Sequence, residues 1–77
     1  MKYFLIVYDQ RNTTLLSLEE FEEEDREAAS AARFRLESVH REEPTLEIVV
    51  LGSESRQSLM QTHGRYFKSV GELATEA

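Results

Sequence analysis

The chain contains no cysteine, which excludes disulfides, thiolate zinc sites, redox pairs and a cysteine nucleophile. Because nothing calls for an oxidising compartment, a cytoplasmic location is expected. Long hydrophobic runs are also missing. The longest, residues 3–8, is shorter than a signal-peptide core of roughly 7–15 residues or a membrane span of about 20. The sequence therefore predicts neither a targeting segment nor a membrane segment.

The length of 77 residues gives room for one small domain with a thin core. We expect residues 1–68 to form a single α/β domain. Residues 69–77 hold few apolar side chains, and they are predicted to be a frayed or partly helical tail.

Basic charge is scarce overall, and the net charge of -6 is concentrated in one place. Residues 19–27, "EEFEEEDRE", hold seven acids and one arginine, so the rest of the chain is neutral. We call residues 19–27 the acidic segment. The ordinary interpretation of this segment is that it stabilises the start of the following helix, because negative charge is favoured at a helix N-terminus. An acidic chain is also a poor candidate for sequence-independent nucleic-acid binding, which depends on lysine and arginine.

The first half of the chain predicts a β-hairpin followed by a long helix. Residues 3–8 are aromatic or β-branched and apolar on both alternating faces, which is typical of a central strand. Residues 13–18 are compatible with its hairpin partner. The run from 26 to 43 predicts an amphipathic helix of about five turns, stopped by Pro44. Its apolar side is predicted to hold Ala28, Ala29, Ala32, Leu36 and Val39.

The second half predicts a third strand and a short helix. Residues 45–51 form the strand, with Leu46, Ile48 and Val50 on one face, and Gly52 ends it. Ser53 or Ser55 can cap the second helix, which we expect to stop or kink near Gly64.

The element order ββαβα predicts an α/β fold of the α+β type. A right-handed crossover makes the third strand parallel to the second, and the first strand then lies between them in the order 2-1-3. With both helices on one face, the result is a two-layer sandwich. The other face of the sheet would then expose apolar side chains, which is the reason to expect a homodimer.

A basic stretch, residues 55–68, "SRQSLMQTHGRYFK", is the strongest candidate for a site. As a general base, His63 needs a carboxylate to orient it, and none lies within residues 55–71. No catalytic residue is therefore assigned. His40 and His63 have no metal-ligand spacing, so no metal is predicted, and no cofactor either.

An anion site is a second interpretation of the same region. Ser53, Ser55 and Arg56 stand where the third strand leads into a helix N-terminus, whose free N–H groups favour phosphate or carboxylate. His63 and Arg65 complete this hypothetical ligand set. Ordinary serine capping explains the same serines equally well.

An interaction surface is the third interpretation. Arg56, Arg65 and Lys68 give residues 55–71 a net charge of +3, opposite in sign to the acidic segment. Such patches can pair between two copies or within one chain. The sequence Arg65-Tyr66-Phe67 has a composition favoured at interfaces, although the two rings equally suit a core. Phe34 falls on the polar side of the long helix and is a further interface candidate.

Four segments, "KYFLIVYD", "AARFRLE", "EIVVLGSES" and "LMQTHGRYF", together resemble a family of short bacterial proteins that has no assigned reaction. The resemblance covers nearly the whole chain and implies no functional residue. The "MKY" opening is also similar to antitoxin-type domains that start with a strand, a hairpin and a helix. The Pro-Gly-Cys style segment of those domains and their DNA-binding appendage are missing here.

The sequence thus favours a non-enzymatic protein-interaction module that homodimerises. One alternative is a small protein or enzyme that binds an anionic ligand at Ser53, Ser55, Arg56, His63 and Arg65. Another is an antitoxin-like regulator whose acidic segment binds a basic protein.

Overall fold

A computed structural model describes residues 1–68, and the predicted tail of residues 69–77 lies outside the described part. Five main elements follow one another in the predicted order ββαβα. They are β1 (Lys2–Asp9), β2 (Thr14–Phe21), α1 (Arg26–Val39), β3 (Leu46–Ser53) and α2 (Arg56–Thr62). Short 3-10 helices at Glu23–Asp25 and Gly64–Phe67 precede α1 and follow α2.

The sheet has the predicted order β2-β1-β3, and the α+β class is confirmed. Strand β1 pairs antiparallel with both neighbours, so β2 and β3 run in the same direction, as the crossover requires. The central position follows from the sequence of β1, because its residues from Phe4 to Tyr8 are all buried. A strand that is apolar on both sides needs cover on both sides.

The expectation that both helices lie on one face is corrected by the packing. Phe4, Ile6 and Tyr8 form a buried cluster with Leu59 of α2 and with Tyr66 and Phe67. Successive side chains of a strand point to opposite faces, so Tyr3, Leu5 and Val7 lie on the other side.

Helix α1 covers that other side. The guanidinium of Arg26 lies 5.8 Å from the ring centre of Tyr3, and Leu36 shares a groove with Val7. Both faces of the sheet are therefore covered by a helix. The expected dimer cannot be argued from an entirely bare face of the sheet.

A β-bulge in β2 explains how this strand supplies apolar side chains to both faces of the sheet. Val7 lies opposite Ser17, but Tyr8 lies opposite Leu15, so Leu16 is an extra residue. The insertion places Leu15 and Leu18 against the same core cluster, although they are three residues apart. Leu16 turns towards the α1 side, where it lines the groove beside Val7.

Helix α1 is shorter than predicted and presents a narrower apolar stripe. It ends at Val39, where the N–H of His40 still bonds the carbonyl of Leu36, and residues 40–43 form a turn before Pro44. Ala29 is buried and Ala32 and Leu36 are half-buried, whereas Ala28 and Val39 are exposed. The small side chains of Ala29 and Ala32 let this narrow side of α1 lie close to the sheet.

Helix α2 begins as predicted, with the Ser55 hydroxyl accepting a hydrogen bond from the Ser58 N–H at 3.0 Å. It ends at Thr62, and the chain continues from Gly64 as a 3-10 helix. The expected break near Gly64 is therefore present. Gly64 has no positive φ, so it is not the left-handed cap that glycine often supplies.

The hairpin between β1 and β2 holds Thr13 at φ 48°, the only non-glycine residue of the described chain in the left-handed region. A β-branched residue is unfavourable there, whereas asparagine tolerates it. We expect Thr13→Asn to raise stability by about 0.5–1 kcal/mol, measured by urea unfolding. Thr14→Asn, one residue into β2, is the matched control and should give no gain. Equal or lower stability in Thr13→Asn would contradict the assigned strain.

Candidate functional site

The residues proposed as an anion site serve mainly structural contacts. Ser53 is buried, and the Ser55 hydroxyl is used by the cap of α2. Arg56 is exposed, with Nη2 3.9 Å from an oxygen of Glu20 in the acidic segment. This pair joins the two oppositely charged regions within one chain.

His63 lies at the C-terminal end of α2 and is half-buried. Its Nδ1 is 3.0 Å from the hydroxyl of Thr62. Within residues 1–68 no carboxylate contacts its ring, so the orienting partner that general-base catalysis needs is missing there. This part of the chain also holds no group of three His, Asp or Glu residues suited to a metal ion.

Arg65 belongs to a different cluster, which joins the Gly64–Phe67 helix to the sheet. Its Nη2 hydrogen-bonds both Glu47 of β3 and the hydroxyl of Tyr66, the latter at 2.6 Å. The Tyr66 hydroxyl in turn donates to the same Glu47 oxygen, and Gln10 donates to the other at 3.0 Å. We call Glu47, Arg65 and Tyr66 the latch.

Aromatic contacts reinforce the latch. The Arg65 guanidinium lies 4.1 Å from the ring centre of Tyr66, and this ring packs edge-on against Tyr8 at 5.3 Å. Arg65 is therefore engaged on two sides, and its charge is balanced by Glu47. The latch holds the last described helix against the core and leaves Arg65 less suited to bind an external anion.

The environment of the latch changes the acidity of Glu47 and of Tyr66. Burial disfavours the charge on Glu47, but hydrogen bonds from Arg65, Tyr66 and Gln10 outweigh it and hold the pKa of Glu47 below its ordinary value. Burial and the hydrogen bond to Glu47 raise the pKa of Tyr66 to about 12. The phenol thus stays neutral and donates to a charged carboxylate at neutral pH.

This arrangement predicts a loss of stability in alkali. Between pH 10 and about 12 the tyrosine of the unfolded chain ionises while the folded Tyr66 does not, so unfolding becomes more favourable as pH rises. Tyr66 should contribute about 2 kcal/mol of this loss, measured by urea unfolding at pH 9 and pH 12. Tyr66→Phe should remove that part, whereas Tyr3→Phe, outside the latch, should keep it. An identical alkaline loss in Tyr66→Phe would contradict the raised pKa.

The three aromatic residues proposed for an interface occupy different environments. Tyr66 and Phe67 are buried in the core, which agrees with the alternative that they close it. Phe34 is 73% exposed on α1, so it alone of the three offers its ring to solvent. A single exposed aromatic side chain is common and does not define a site.

The outer edge of β3 is a feature that the sequence patterns missed. The N–H of Gln10 donates to the carbonyl of Thr45 at 2.9 Å, and this pair continues the β1–β3 register. Antiparallel pairs alternate between hydrogen-bonded and non-bonded types. Glu47, Val49 and Leu51 therefore direct their backbone groups towards β1. The residues that alternate with them along β3 direct their N–H and C=O groups outward. These are Leu46, Ile48, Val50 and Gly52.

These outward groups are largely unpaired within residues 1–68. Leu46 uses its N–H in a bond to the carbonyl of Glu43 at 3.1 Å. No other described segment hydrogen-bonds the outward backbone of Ile48, Val50 or Gly52. Within the described residues, the outward N–H and C=O groups of these three alternate residues thus have no backbone partner.

The two sheet edges differ in how they are protected. Strand β2 carries a bulge at Leu16 and the carboxylates of Glu19 and Glu20, which are features that discourage pairing with another strand. Strand β3 has neither a bulge nor a proline, and its single charge, Glu47, is held in the latch. The edge of β3 is consequently the better surface for adding a strand.

No helix of residues 1–68 is long and apolar enough to cross a membrane. Comparison of the chain with protein-family models, curated proteins and solved structures found no match. The resemblance to a family of short bacterial proteins stays a prediction.

Proposed function

We propose that this protein is a non-enzymatic interaction module that forms a homodimer through the outer edge of β3. The observation that carries the proposal is the row of outward backbone groups at Ile48, Val50 and Gly52. An exposed edge of apolar residues is a template for another strand. A second copy is the simplest partner, because a two-fold axis makes the surface complementary to itself.

One register uses the outward N–H donors of all three residues. If the axis passes through Val50, the two Val50 residues face each other and Ile48 of one copy faces Gly52 of the other. Three N–H donors from each copy then find outward carbonyls, which gives six hydrogen bonds. The same register places Glu47 opposite Ser53, so no two like charges meet. The product is a continuous six-stranded sheet.

Salt dependence tests this interface. Backbone hydrogen bonds and apolar contacts are weakly screened, whereas pairing between the acidic segment and the basic stretch would weaken as salt rises. We expect sedimentation velocity at micromolar concentration to show a dimer whose dissociation constant changes less than about threefold between low and high salt. A monomer at both salt concentrations would contradict the proposal. A dimer that is lost at high salt would instead favour an interface between the acidic segment and the basic stretch.

The anion-binding alternative has less support, since Ser55 and Arg65 are used within the chain. NMR titration with phosphate and nucleotides tests it, because binding would shift the amide signals of residues 53–56. The antitoxin-like alternative rests on the acidic segment. Lys2 bonds Glu20 of that segment at 2.7 Å and lies 3.9 Å from Glu22, which reduces the charge available to a basic protein. We propose a cytoplasmic location for the dimer, on the absence of cysteine.

A further inference from the structure

A groove of about 850 Å³ lies at the end of the sheet where β1 meets the turn after α1. It exists because α1 ends at Val39 and the chain then turns away before Pro44, which leaves one corner of the α1 side of the sheet uncovered. This volume is in the range of small-molecule sites in proteins. The groove includes Leu46 at the start of β3 but not Ile48, Val50 or Gly52, whose backbone groups form the proposed dimer.

The floor of the groove is apolar. It is formed by side chains of β1, β2, α1 and β3 together with the proline between the last two, namely Val7, Leu16, Leu36, Leu46 and Pro44. Leu16 is the bulged residue of the edge strand β2 and is 54% exposed. The bulge thus turns an apolar side chain into the groove, where a ligand would cover it.

The rim of the groove is polar and carries more negative than positive charge. Its charged or titratable members are Asp9, Arg11, His40, Glu42 and Glu43. With His40 neutral, their net charge is -2, from three acids and one arginine.

The three acids of the rim differ in their contacts. Hydrogen bonds from the Asn12 side chain and from backbone N–H groups hold the pKa of Asp9 below its ordinary value. An oxygen of Glu43 lies 3.2 Å from Nδ1 of His40, which is within hydrogen-bond distance. Glu42 is exposed and forms no ion pair within residues 1–68.

We propose that this groove binds a small amphiphilic cation, meaning an apolar chain or ring that carries one protonated amine. The apolar part would cover Leu16, Leu36 and Leu46, and the amine would lie among the carboxylates of the rim. An anionic ligand of the same shape would be repelled by the net negative charge, so the sign of the ligand charge decides the preference.

Three probes of equal chain length test the proposal on the full chain. Octylamine at pH 7 should shift the amide signals of Leu16, Ser17, Leu36 and Leu46 in NMR spectra at low salt. Octanol should bind several-fold more weakly, and octanoate more weakly still. The preference for octylamine should shrink as salt is added. Octanoate binding as tightly as octylamine, or no groove shifts with any probe, would overturn the proposal.

Matched variants separate charge from apolar contact. The double variant Glu42→Gln, Glu43→Gln should weaken octylamine binding about tenfold and leave octanol binding unchanged. Glu24→Gln, Glu27→Gln makes the same change in net charge outside the groove and should leave octylamine binding within about twofold. Leu16→Asn should weaken the binding of all three probes. Equal losses of octylamine binding in the two double variants would show that overall charge, not the groove, attracts the cation, and would contradict the site.

Discussion

Replacing Tyr66 by alanine is expected to leave most of the chain unfolded at room temperature. Tyr66 is 4% exposed and packs edge-on against Tyr8, so truncation removes a buried ring and leaves a cavity. Such changes cost about 3–5 kcal/mol. A domain of this size has only a few kcal/mol of stability in total, because its core is thin.

The same substitution also breaks the latch. Without the phenol, Glu47 loses one hydrogen bond and Arg65 loses the ring on which its guanidinium lies. Circular dichroism with urea unfolding measures the effect. Tyr66→Phe is the matched control, since it keeps the ring and removes only the hydroxyl, at a cost of about 1 kcal/mol. If Tyr66→Ala cost no more than Tyr66→Phe, the ring would not be the core element described above.

Replacing Val50 by proline is expected to weaken the dimer at least a hundredfold while the monomer stays folded. The N–H of Val50 points outward, so proline removes no bond to β1, but it removes a central donor of the proposed interface. The two-fold axis doubles the loss, because both copies lose their donor. Sedimentation velocity gives the dissociation constant, and circular dichroism reports the fold.

The neighbouring substitution Val49→Pro is the control for Val50→Pro. The N–H of Val49 points to β1, so proline there breaks the sheet and should destabilise the monomer by about 3 kcal/mol or more. An opposite outcome, with Val49→Pro folded and Val50→Pro unfolded, would mean that the assigned directions of the β3 backbone are wrong. A folded Val50→Pro that dimerises normally would exclude the β3 edge as the interface.

The central strand and the sheet order were predictable because β1 is apolar at consecutive positions. A strand that is apolar on both sides also implies that both faces of the sheet are covered. The apolar residues of the two helices do not show on which face of the sheet each helix packs. The side depends on the short link of Glu54 and Ser55 after β3, which carries α2 under the face opposite α1. Local patterns do not encode that direction.

The latch and the edge were beyond the reach of the sequence for a different reason. Glu47 and Arg65 are 18 residues apart, and neither has a motif that predicts their contact. The outward direction of Val50 depends on the pairing register of β3 with β1, which is fixed by the whole sheet. The bulge at Leu16, which forms part of the groove, likewise becomes visible only in the register.

A single introduced cysteine tests the β3 dimer most directly, because the chain has none of its own. At the proposed two-fold axis the two Val50 residues face each other as a hydrogen-bonded pair, with Cα atoms about 5.5 Å apart, which is within the range that a disulfide can bridge. Under mild oxidation Val50→Cys should therefore form a covalent dimer in high yield, measured by non-reducing electrophoresis. Ser38→Cys, exposed on α1, should remain mostly monomeric under the same conditions. Equal yields from the two variants, or no covalent dimer from Val50→Cys, would contradict pairing through β3.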